Sequence, residues 1–240
     1  MNTLIVIPAR VASVRLPGKM LADVNGKPLI VRTFESAVSS GVGDVVVACD
    51  GDEIANVIRE AGGKAVLTDP NLPSGTDRVF SGWTLHDLEK KYDVIINLQG
   101  DLPFISANFI GESEKIIRNS DYDISTVATP IKDDSYLVNS VVKPVISFTS
   151  ETGGKALYFS RSPVPSGGPF FHHVGIYCFR AESLRKFVSL PQSPLEKSEK
   201  LEQLRALENN MTIGIGIIDA AAPISVDTAD DLAAARKYSA

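Results

Sequence analysis

The sequence predicts an α/β fold organised around a mostly parallel sheet. Three short apolar runs carry this prediction, at residues 4–7, 45–48 and 94–96. Their aliphatic side chains, most of them β-branched, are typical of strands that are buried on both faces. Between these runs the apolar residues follow helical spacing, as over residues 28–40. Alternating strands and helices of this kind imply a parallel sheet with right-handed crossovers.

The predicted elements extend along the whole chain. In the first half we predict strands over residues 4–7, 44–50, 64–68, 93–98 and 123–131, and helices over residues 28–40, 52–61, 74–91 and 106–119. In the second half we predict strands over residues 141–148, 156–160, 174–179 and 211–218, and helices over residues 180–188, within 193–205 and from 226 onward. Pro144 indicates an edge strand or a bulge. Because strands outnumber helices there, we expect a smaller mixed region that covers the open side of the site.

Composition argues against several classes of protein. The net charge of −5 disfavours general nucleic-acid binding, which usually shows as a basic domain. No apolar run approaches the ~18 residues that a membrane span requires, and the N-terminus lacks the basic and long apolar segments of an export signal. Cys49 and Cys178 lie in apolar runs and are predicted to be buried free thiols. We therefore expect a cytoplasmic protein.

The loop that follows the first strand is rich in cations. Pro8 cannot donate to a sheet and marks the end of the strand, and residues 10–19 then include Arg10, Arg15 and Lys19. Ligands of open α/β sheets bind at the carboxyl ends of strands, where Arg, Lys and backbone N–H groups can bind phosphate oxygens. A polyphosphate site is one interpretation, and an ordinary solvated loop is the other. The loop is neither a P-loop nor a Gly-x-Gly-x-x-Gly fingerprint.

Two further segments lie at the ends of predicted elements. Ser-Gly-Thr-Asp-Arg at 74–78 opens a helix, and the free N–H groups of a helix N-terminus can bind an anion or a base edge. Gln-Gly-Asp at 99–101 follows a buried strand, where an Asp that faces a cationic loop is a natural ligand for Mg²⁺. On the residues alone, a simple helix cap and an ordinary turn Asp are the favoured interpretations.

Family resemblance favours the functional interpretation of all three segments. Ile-Pro-Ala-Arg at 7–10, Ser-Val-Arg-Leu-Pro-Gly-Lys at 13–19 and Asn-Gly-Lys-Pro at 25–28 resemble the opening of sugar-activating nucleotidyltransferases. More narrowly, they resemble the 3-deoxy-manno-octulosonate cytidylyltransferases, as do the segments at 74–78 and 99–101. Further signatures are Ala-Leu-Tyr-Phe-Ser-Arg at 156–161, His-Val-Gly-Ile-Tyr at 173–177, Leu-Glu-Gln-Leu-Arg at 201–205 and Val-Asp-Thr-Ala-Asp-Asp-Leu at 226–232. The resemblance thus extends from residue 7 to residue 232.

The resemblance implies a site for CTP. The nucleotide-binding residues that it implies are Pro8, Ala9, Arg10, Arg15, Lys19, Ser74, Gly75, Thr76, Arg78, Gln99 and Gly100. Among them, Arg10, Arg15 and Lys19 would hold the triphosphate and the departing pyrophosphate, and Arg15 and Lys19 are also implied to be catalytic. Residues 74–78 would contact the base.

The resemblance also implies that Asp101 and Asp227 are catalytic and bind Mg²⁺ together. Asp227 precedes the last helix, so the alternative is that it only caps this helix. Three departures from these family motifs are visible: Leu102 stands where members usually have Glu, Ala229 where they have Pro, and Asp230 where they have Glu. We interpret Leu102 as the loss of a carboxylate behind the metal ligand, with the ligand itself kept.

Six residues are assigned to an acidic sugar by the resemblance, and they are Gln99, Arg161, His173, Tyr177, Glu199 and Gln203. A guanidinium can bind a carboxylate through two hydrogen bonds, and His and Tyr can bind hydroxyls. Glu199 and Gln203 are four residues apart, so one helix would place both on the same face. Without the resemblance, these segments are half-buried strands and a solvent-facing helix surface. The segment 162–172 is shorter than in many members.

The resemblance therefore implies transfer of CMP from CTP to 3-deoxy-D-manno-octulosonate (KDO), with release of pyrophosphate, for lipopolysaccharide synthesis. It implies a homodimer and a nucleotide-diphospho-sugar-transferase-like (Rossmann-like) fold. Within a single domain over 1–240, residues 1–131 would mainly bind nucleotide, 132–225 would bind sugar and the partner subunit, and 226–240 would return to the metal site. Cytidylyltransferases for sialic acid or a modified octulosonate are alternatives, as is a non-catalytic nucleotide-sensing module. A protein that only binds a nucleotide does not require both metal-binding carboxylates, so the presence of Asp101 and Asp227 disfavours a nucleotide-sensing module.

Overall fold

The computed structural model describes residues 1–13 and 15–238, so Val14 of the cationic loop and the last two residues of the final predicted segment lie outside the described residues. The strands in chain order are β1 (Thr3–Ala9), β2 (Asp23–Val24), β3 (Lys27–Pro28), β4 (Asp44–Cys49), β5 (Lys64–Leu67), β6 (Val94–Leu98), β7 (Ile124–Pro130), β8 (Lys143–Ser150), β9 (Gly153–Ser160), β10 (Phe171–Arg180) and β11 (Ile213–Ile217). The helices are α1 (Leu29–Ser39), α2 (Asp52–Glu60), α3 (Gly75–His86), α4 (Ala107–Arg118), α5 (Ala181–Ser189), α6 (Pro194–Glu199), α7 (Leu204–Glu208) and α8 (Ala229–Lys237).

The chain folds as two compact units. The first comprises Met1–Gly111 together with Pro223–Ala240, and the second comprises Glu112–Ala222. The first unit therefore contains the cationic loop, both segments at 74–78 and 99–101, and the final helix α8.

A parallel sheet forms the centre of the first unit. Its strand order is β5-β4-β1-β6, and every neighbouring pair is parallel. All seven residues of β1 are buried, which explains why its sequence is continuously apolar and does not alternate. Helices α1 and α2 pack against β4, and α3 packs against β1 and β4. The predicted α/β fold with parallel crossovers is confirmed, and the carboxyl ends of β1, β4 and β6 form one edge of this sheet.

The second unit contains a mixed sheet. Its strand order is β10-β7-β11-β9-β8, in which only the β7–β11 pair is parallel among the described strands. This confirms the prediction of a mixed second half. Strand β8 ends the order, and its register shifts between Val145 and Ile146, next to Pro144. Pro144 therefore lies on an edge strand beside an irregularity, as its missing N–H predicts.

The predicted helix over residues 74–91 is too long. Helix α3 ends at His86 because Asp87 binds the chain that follows. The Asp87 carboxylate accepts from Trp83 Nε1 at 3.0 Å and from Lys91 N at 2.7 Å. These bonds replace helical continuation with a turn, in which Lys90 adopts a left-handed φ of 54°.

The segment 193–205 forms two helices, and the prediction of one continuous helix is wrong. Lys200 adopts a φ of 55° and ends α6, and α7 begins only at Leu204. Arg205 binds both oxygens of Glu196, with Nη2–Oε1 and Nε–Oε2 distances of 2.6 and 2.9 Å, and both side chains are buried. This buried ion pair holds α7 against α6. Residues 199 and 203 consequently do not share one helical face.

Cys49 and Cys178 are buried free thiols, as predicted. Burial raises the pKa of both thiols, so neither is a reactive thiolate at neutral pH. Within the described ranges, none of the helices has both the length and the apolar character that crossing a membrane requires.

Candidate active site

A cavity of about 320 Å³ opens at the carboxyl edge of the first unit's sheet. Every residue predicted to bind nucleotide or metal lines this cavity, with the exception of Thr76. Ser13, Met20, Leu72 and Pro73 also line it, and their residue types carried no signal for a ligand. A cavity of this size at the carboxyl ends of parallel strands is typical of a small-molecule site.

The loop after β1 presents both buried and exposed cations. Gly18 adopts a φ of 68°, which favours glycine, and it begins a short 3₁₀ turn over Lys19–Leu21. The turn places the Lys19 side chain in a buried position, where it is 9% exposed. Arg15 lies farther out, with its side chain 67% exposed, and Arg10 is exposed as well. One cation of the loop is therefore fixed, and two remain accessible to a ligand.

Lys19 joins the two predicted metal-binding carboxylates. Its Nζ donates to Asp101 Oδ2 at 2.8 Å and to Asp227 Oδ1 at 3.0 Å. Arg15 Nη2 lies 2.9 Å from the same Asp227 oxygen. Burial lowers the pKa of Lys19, but the charges and hydrogen bonds of Asp101 and Asp227 raise it by more, so its pKa lies above the ordinary value. Lys19 is thus protonated at neutral pH, and with Arg15, Asp101 and Asp227 it forms a cluster of two basic and two acidic side chains.

Backbone packing places Asp227 beside Asp101. A Cβ added to Gly100 would lie 3.0 Å from the carbonyl oxygen of Pro8, so the ends of β6 and β1 are tightly packed. Val226 N donates to the carbonyl oxygen of Asp101 at 2.9 Å. This single bond brings the segment before α8 to the end of β6. Two carboxylates that are distant in sequence therefore meet at one edge of the sheet.

The N-cap of α8 is Thr228, so the interpretation of Asp227 as the helix cap is wrong. Thr228 Oγ1 accepts from Asp231 N at 3.2 Å, and the Asp231 carboxylate accepts from Thr228 N at 2.8 Å. Asp231 also accepts from the backbone N–H of Asp227 at 3.0 Å. Because neighbouring residues satisfy the helix end, the carboxylate of Asp227 is directed to Lys19 and Arg15.

The N-terminus of α3 forms another part of the cavity wall. Ser74 is the N-cap of this helix, as the segment predicted. A Cβ added to Gly75 would lie 3.6 Å from Gln99 Oε1, so the first turn of α3 contacts the end of β6. Thr76 is buried, and its Oγ1 accepts from Asn97 Nδ2 at 3.2 Å. Thr76 therefore supports the turn that presents Ser74 and Gly75.

Two other residues near this wall are buried. Arg78 lines the cavity although only 4% of its side chain is exposed, and it is paired with Asp50 at 3.1 Å. Leu102, which stands where the family resemblance predicts Glu, is 5% exposed and belongs to the apolar core. The segment after β6 consequently contributes one carboxylate to the cavity, that of Asp101.

In the second unit, the predicted sugar-binding residues Arg161 and Glu199 contact each other. The Glu199 carboxylate accepts from Arg161 N at 3.0 Å and from Ser160 Oγ at 2.9 Å. Burial raises the pKa of Glu199, but these hydrogen bonds lower it by more, so the carboxylate is ionised at neutral pH. The Arg161 guanidinium donates to the carbonyl oxygens of Glu199, Asn139 and Lys200 at 2.9, 3.1 and 3.3 Å. Both side chains are thereby fixed in one hydrogen-bonded cluster.

His173 and Tyr177 lie along β10, with ring centroids 5.3 Å apart. Burial, assisted by His172, lowers the pKa of His173 to about 3, and its Nε2 lies 2.9 Å from Thr126 Oγ1. Burial raises the pKa of Tyr177 well above its ordinary value, so both rings are neutral at pH 7. Gln203 is 6% exposed, and its Nε2 has no hydrogen-bond partner among the described residues. The remaining sugar-assigned residue, Gln99, belongs to the first unit.

Comparison with known proteins identifies the relatives of this chain. Residues 4–213 match the family described as cytidylyltransferase. The 3-deoxy-manno-octulosonate cytidylyltransferase of Parvibaculum lavamentivorans is 50% identical over 98% of this chain and 92% of its own length. The protein with the same name from Rhodospirillum rubrum is 48% identical over 97% of this chain and 94% of its own length.

Solved structures agree with the sequence relatives. A CMP:2-keto-3-deoxy-manno-octonic acid synthetase, solved in complex with CTP, matches with a TM-score of 0.89 and 35% identity, over 98% of this chain and 97% of that one. A cytidylyltransferase from Leptospira borgpetersenii shares the fold, with a TM-score of 0.63 at 16% identity over 98% of this chain and 85% of that one. The resemblance proposed from the sequence motifs is confirmed. The chain belongs to the cytidylyltransferase family and, within it, to the 3-deoxy-manno-octulosonate cytidylyltransferases.

Proposed function

We propose that this protein transfers CMP from CTP to KDO and releases pyrophosphate. The observation that carries the proposal is the cluster in which Lys19 and Arg15 contact the carboxylates of Asp101 and Asp227. Such transfers depend on positioning and charge neutralisation more than on covalent chemistry by the protein. The relatives add the substrates, because they are 3-deoxy-manno-octulosonate cytidylyltransferases and a solved relative was complexed with CTP.

We also propose that the reaction uses Mg²⁺ bound by Asp101 and Asp227. These two carboxylates fit this ion. One oxygen of each lies within 3.0 Å of the Lys19 Nζ, so both carboxylates can contact a single cation at the same time. Mg²⁺ takes one or two carboxylates from a protein and completes its octahedron with water and phosphate oxygens. When bound, the ion would polarise the α-phosphate and lower the pKa of the attacking hydroxyl.

The cations of the chain would bind and stabilise the reacting phosphates. Arg10 and Arg15 are exposed in the loop and can bind triphosphate oxygens, while Lys19 lies deeper in the same cavity. The anomeric hydroxyl of KDO attacks the α-phosphorus in line and loses its proton to solvent. The new P–O bond forms as the bond from the α-phosphorus to pyrophosphate breaks. Arg15 and Lys19 stabilise the negative charge that moves onto the pyrophosphate.

The second unit would bind the acidic sugar. Arg161 uses three of its five N–H groups on carbonyl oxygens, so two remain for the KDO carboxylate. His173 is neutral and can bind a hydroxyl without carrying charge. The buried Nε2 of Gln203 has an unmade hydrogen bond, which is costly unless a ligand completes it. These three side chains are therefore suited to carboxylate and hydroxyl groups.

We further propose a homodimer that acts in the cytoplasm, in lipopolysaccharide synthesis, as the family resemblance implies. Exposed apolar side chains of the second unit support a protein interface; those of Leu137, Val138, Phe148 and Leu157 are between 46% and 59% exposed. Buried free thiols agree with a reducing compartment. Light scattering that returns the monomer mass of 25.8 kDa would contradict the dimer.

The assay that tests this function measures pyrophosphate release with CTP, Mg²⁺ and a panel of acidic sugars. We expect release to require KDO and to produce an equal amount of CMP-KDO. A preference for sialic acid or a modified octulosonate would contradict the proposed sugar. Binding of CTP with no release for any sugar would instead indicate a nucleotide-sensing module.

A further inference from the structure

Asp50 follows β4 directly and contacts two segments of the nucleotide site, although it does not itself line the cavity. Its side chain is 8% exposed. Oδ1 accepts from the backbone N–H of Val11 at 2.8 Å, and Oδ2 accepts from Arg78 Nη2 at 3.1 Å. A buried carboxylate with both oxygens bound in this way fixes the distance between the groups that it joins.

The contact with Val11 fixes the start of the cationic loop. Val11 follows Arg10, which lines the cavity. Gly51 permits a close approach, because a Cβ added there would lie 2.4 Å from Val11 Cγ2. The loop is thus packed against the end of β4 at this point, and farther along it becomes exposed at Arg15.

The contact with Arg78 fixes the first turns of α3. Arg78 Nη1 donates to Thr68 Oγ1 at 2.5 Å, and Thr68 Oγ1 donates to the carbonyl oxygen of Cys49 at 3.0 Å. The guanidinium is therefore held between β4, Thr68 and Asp50. Arg78 N donates to the carbonyl oxygen of Ser74 at 3.2 Å, so this anchored residue belongs to the turn that presents Ser74 to the cavity.

We propose that Asp50 is a positioning residue that holds the triphosphate-binding loop and the base-contacting end of α3 in one arrangement. The proposal rests on the proposed function, because CTP is the ligand that these two segments would bind together. Asp50 acts through Val11 and Arg78 and does not touch the nucleotide. Because displacements of about 1 Å in a site can cost roughly 100-fold in rate, loss of this contact affects both CTP affinity and the choice of base.

Two variants test the role of Asp50. In Asp50→Asn, the amide oxygen can still accept from Val11 N, but the amide nitrogen would face Arg78 Nη2, donor against donor. Thr68→Val is the milder change, because it removes the hydroxyl that binds Arg78 and keeps a β-branched side chain of the same shape. If Asp50→Asn folds poorly, Thr68→Val still tests whether the contacts of Arg78 affect nucleotide recognition.

Glu196→Gln is the matched control. Glu196 and Arg205 form a second buried ion pair, with both side chains 6% exposed, and it lies in the second unit. Each substitution removes the carboxylate that binds a buried guanidinium most closely, at 3.1 Å for Arg78 and 2.6 Å for Arg205, and lowers the melting temperature. Only loss of the Asp50 pair is expected to change nucleotide recognition.

The experiment measures binding of CTP and of UTP by calorimetry, and KM for CTP and for KDO, in wild type and the three variants. We expect Asp50→Asn to raise KM and Kd for CTP about tenfold and to reduce the CTP-over-UTP preference about tenfold. KM for KDO should stay within about twofold, and Thr68→Val should show smaller changes of the same kind. Glu196→Gln should keep the wild-type CTP-over-UTP preference.

The proposal is overturned if Asp50→Asn and Thr68→Val both keep the wild-type preference for CTP over UTP while their melting temperatures fall. That result would show that Asp50 has a purely structural role. An equal loss of preference in Glu196→Gln would overturn it as well. Failure of the proposed function is distinguishable, because it would appear in the wild type as absence of CTP preference or of KDO-dependent turnover.

Discussion

Lys19 and Asp101 form an ion pair of 2.8 Å, in which the two side chains are 9% and 21% exposed. Asp227, at 33% exposure, binds the same nitrogen at 3.0 Å. Charges that are partly removed from water interact more strongly than charges on an open surface. Lys19 therefore links the two carboxylates to each other, and under the proposed function it would also contact the triphosphate of CTP.

Replacing Lys19 by Met should lower turnover far more than it weakens CTP binding. The ammonium is worth most when negative charge moves onto pyrophosphate, whereas Arg10 and Arg15 still bind the triphosphate in the ground state. We expect kcat to fall on the order of 100-fold and KM for CTP to change less than about fivefold. Steady-state kinetics that show unchanged kcat with a raised KM would contradict a role in the transition state.

The same substitution should strengthen metal binding by the nucleotide-free protein. The Lys19 ammonium contacts the carboxylate oxygens of Asp101 and Asp227 that a divalent ion would use, so it competes with that ion. In Lys19→Met we expect the Kd for Mn²⁺, measured by electron paramagnetic resonance without CTP, to fall at least about fivefold. The gain should disappear when Asp227→Asn is added. Unchanged or weaker Mn²⁺ binding in Lys19→Met would show that no competition exists.

The site should discriminate strongly between CTP and UTP. Ser74 and Gly75 line the cavity at the N-terminus of α3, where backbone and side-chain groups can bind the cytosine edge. A site that hydrogen-bonds one edge rejects the other because buried groups are left unpaired, so we expect kcat/KM to favour CTP at least about 100-fold. Inorganic triphosphate, which has no base, should compete equally against both nucleotides. Comparable kcat/KM values for the two would remove the base-reading role of this turn.

His173 should make the stability of the protein pH-dependent below neutrality. Burial lowers its folded pKa to about 3, beneath the ordinary value of 6.5 that applies to the unfolded chain. As pH falls below 6.5, the unfolded chain binds a proton that the folded protein does not, so stability is lost down to about pH 3. Between pH 7.5 and pH 5.0 this loss amounts to about 2 kcal/mol. Thermal unfolding of His173→Gln should show a correspondingly smaller change between these two pH values, and an identical change would rule out His173 as the cause.

Much of the first unit could be predicted because its strands have a simple pattern. Continuous apolar runs identified β1, β4 and β6, since strands covered on both faces have no polar side. The β2–β3 hairpin was missed, because strands of two residues show no periodicity. Its signal was the Asn25-Gly26 pair, whose φ values of 53° and 82° are those that a two-residue hairpin turn requires.

Tertiary contacts explain what the sequence could not show. The turn at Lys200 depends on the buried pair of Glu196 and Arg205, which helical periodicity does not reveal. Asp50, as an Asp directly after a strand, has the sequence pattern of an ordinary turn residue. The meeting of Asp101 and Asp227 could be expected from family resemblance alone, because spacing places each of them only at the end of an element.

In the proposed mechanism, Asp101 and Asp227 act as one unit on the reacting phosphates. A double-mutant cycle on kcat/KM with Asp101→Asn, Asp227→Asn and the double variant measures this directly. Thr228→Ala is the control, because loss of this helix cap should cost about 1 kcal/mol of stability and leave the carboxylates in place. We expect each Asn variant to lose on the order of 100-fold, and the double variant to lose little more, with a coupling of about 2 kcal/mol or larger. Losses that multiply, or full activity of Asp227→Asn at low Mg²⁺, would contradict a shared centre.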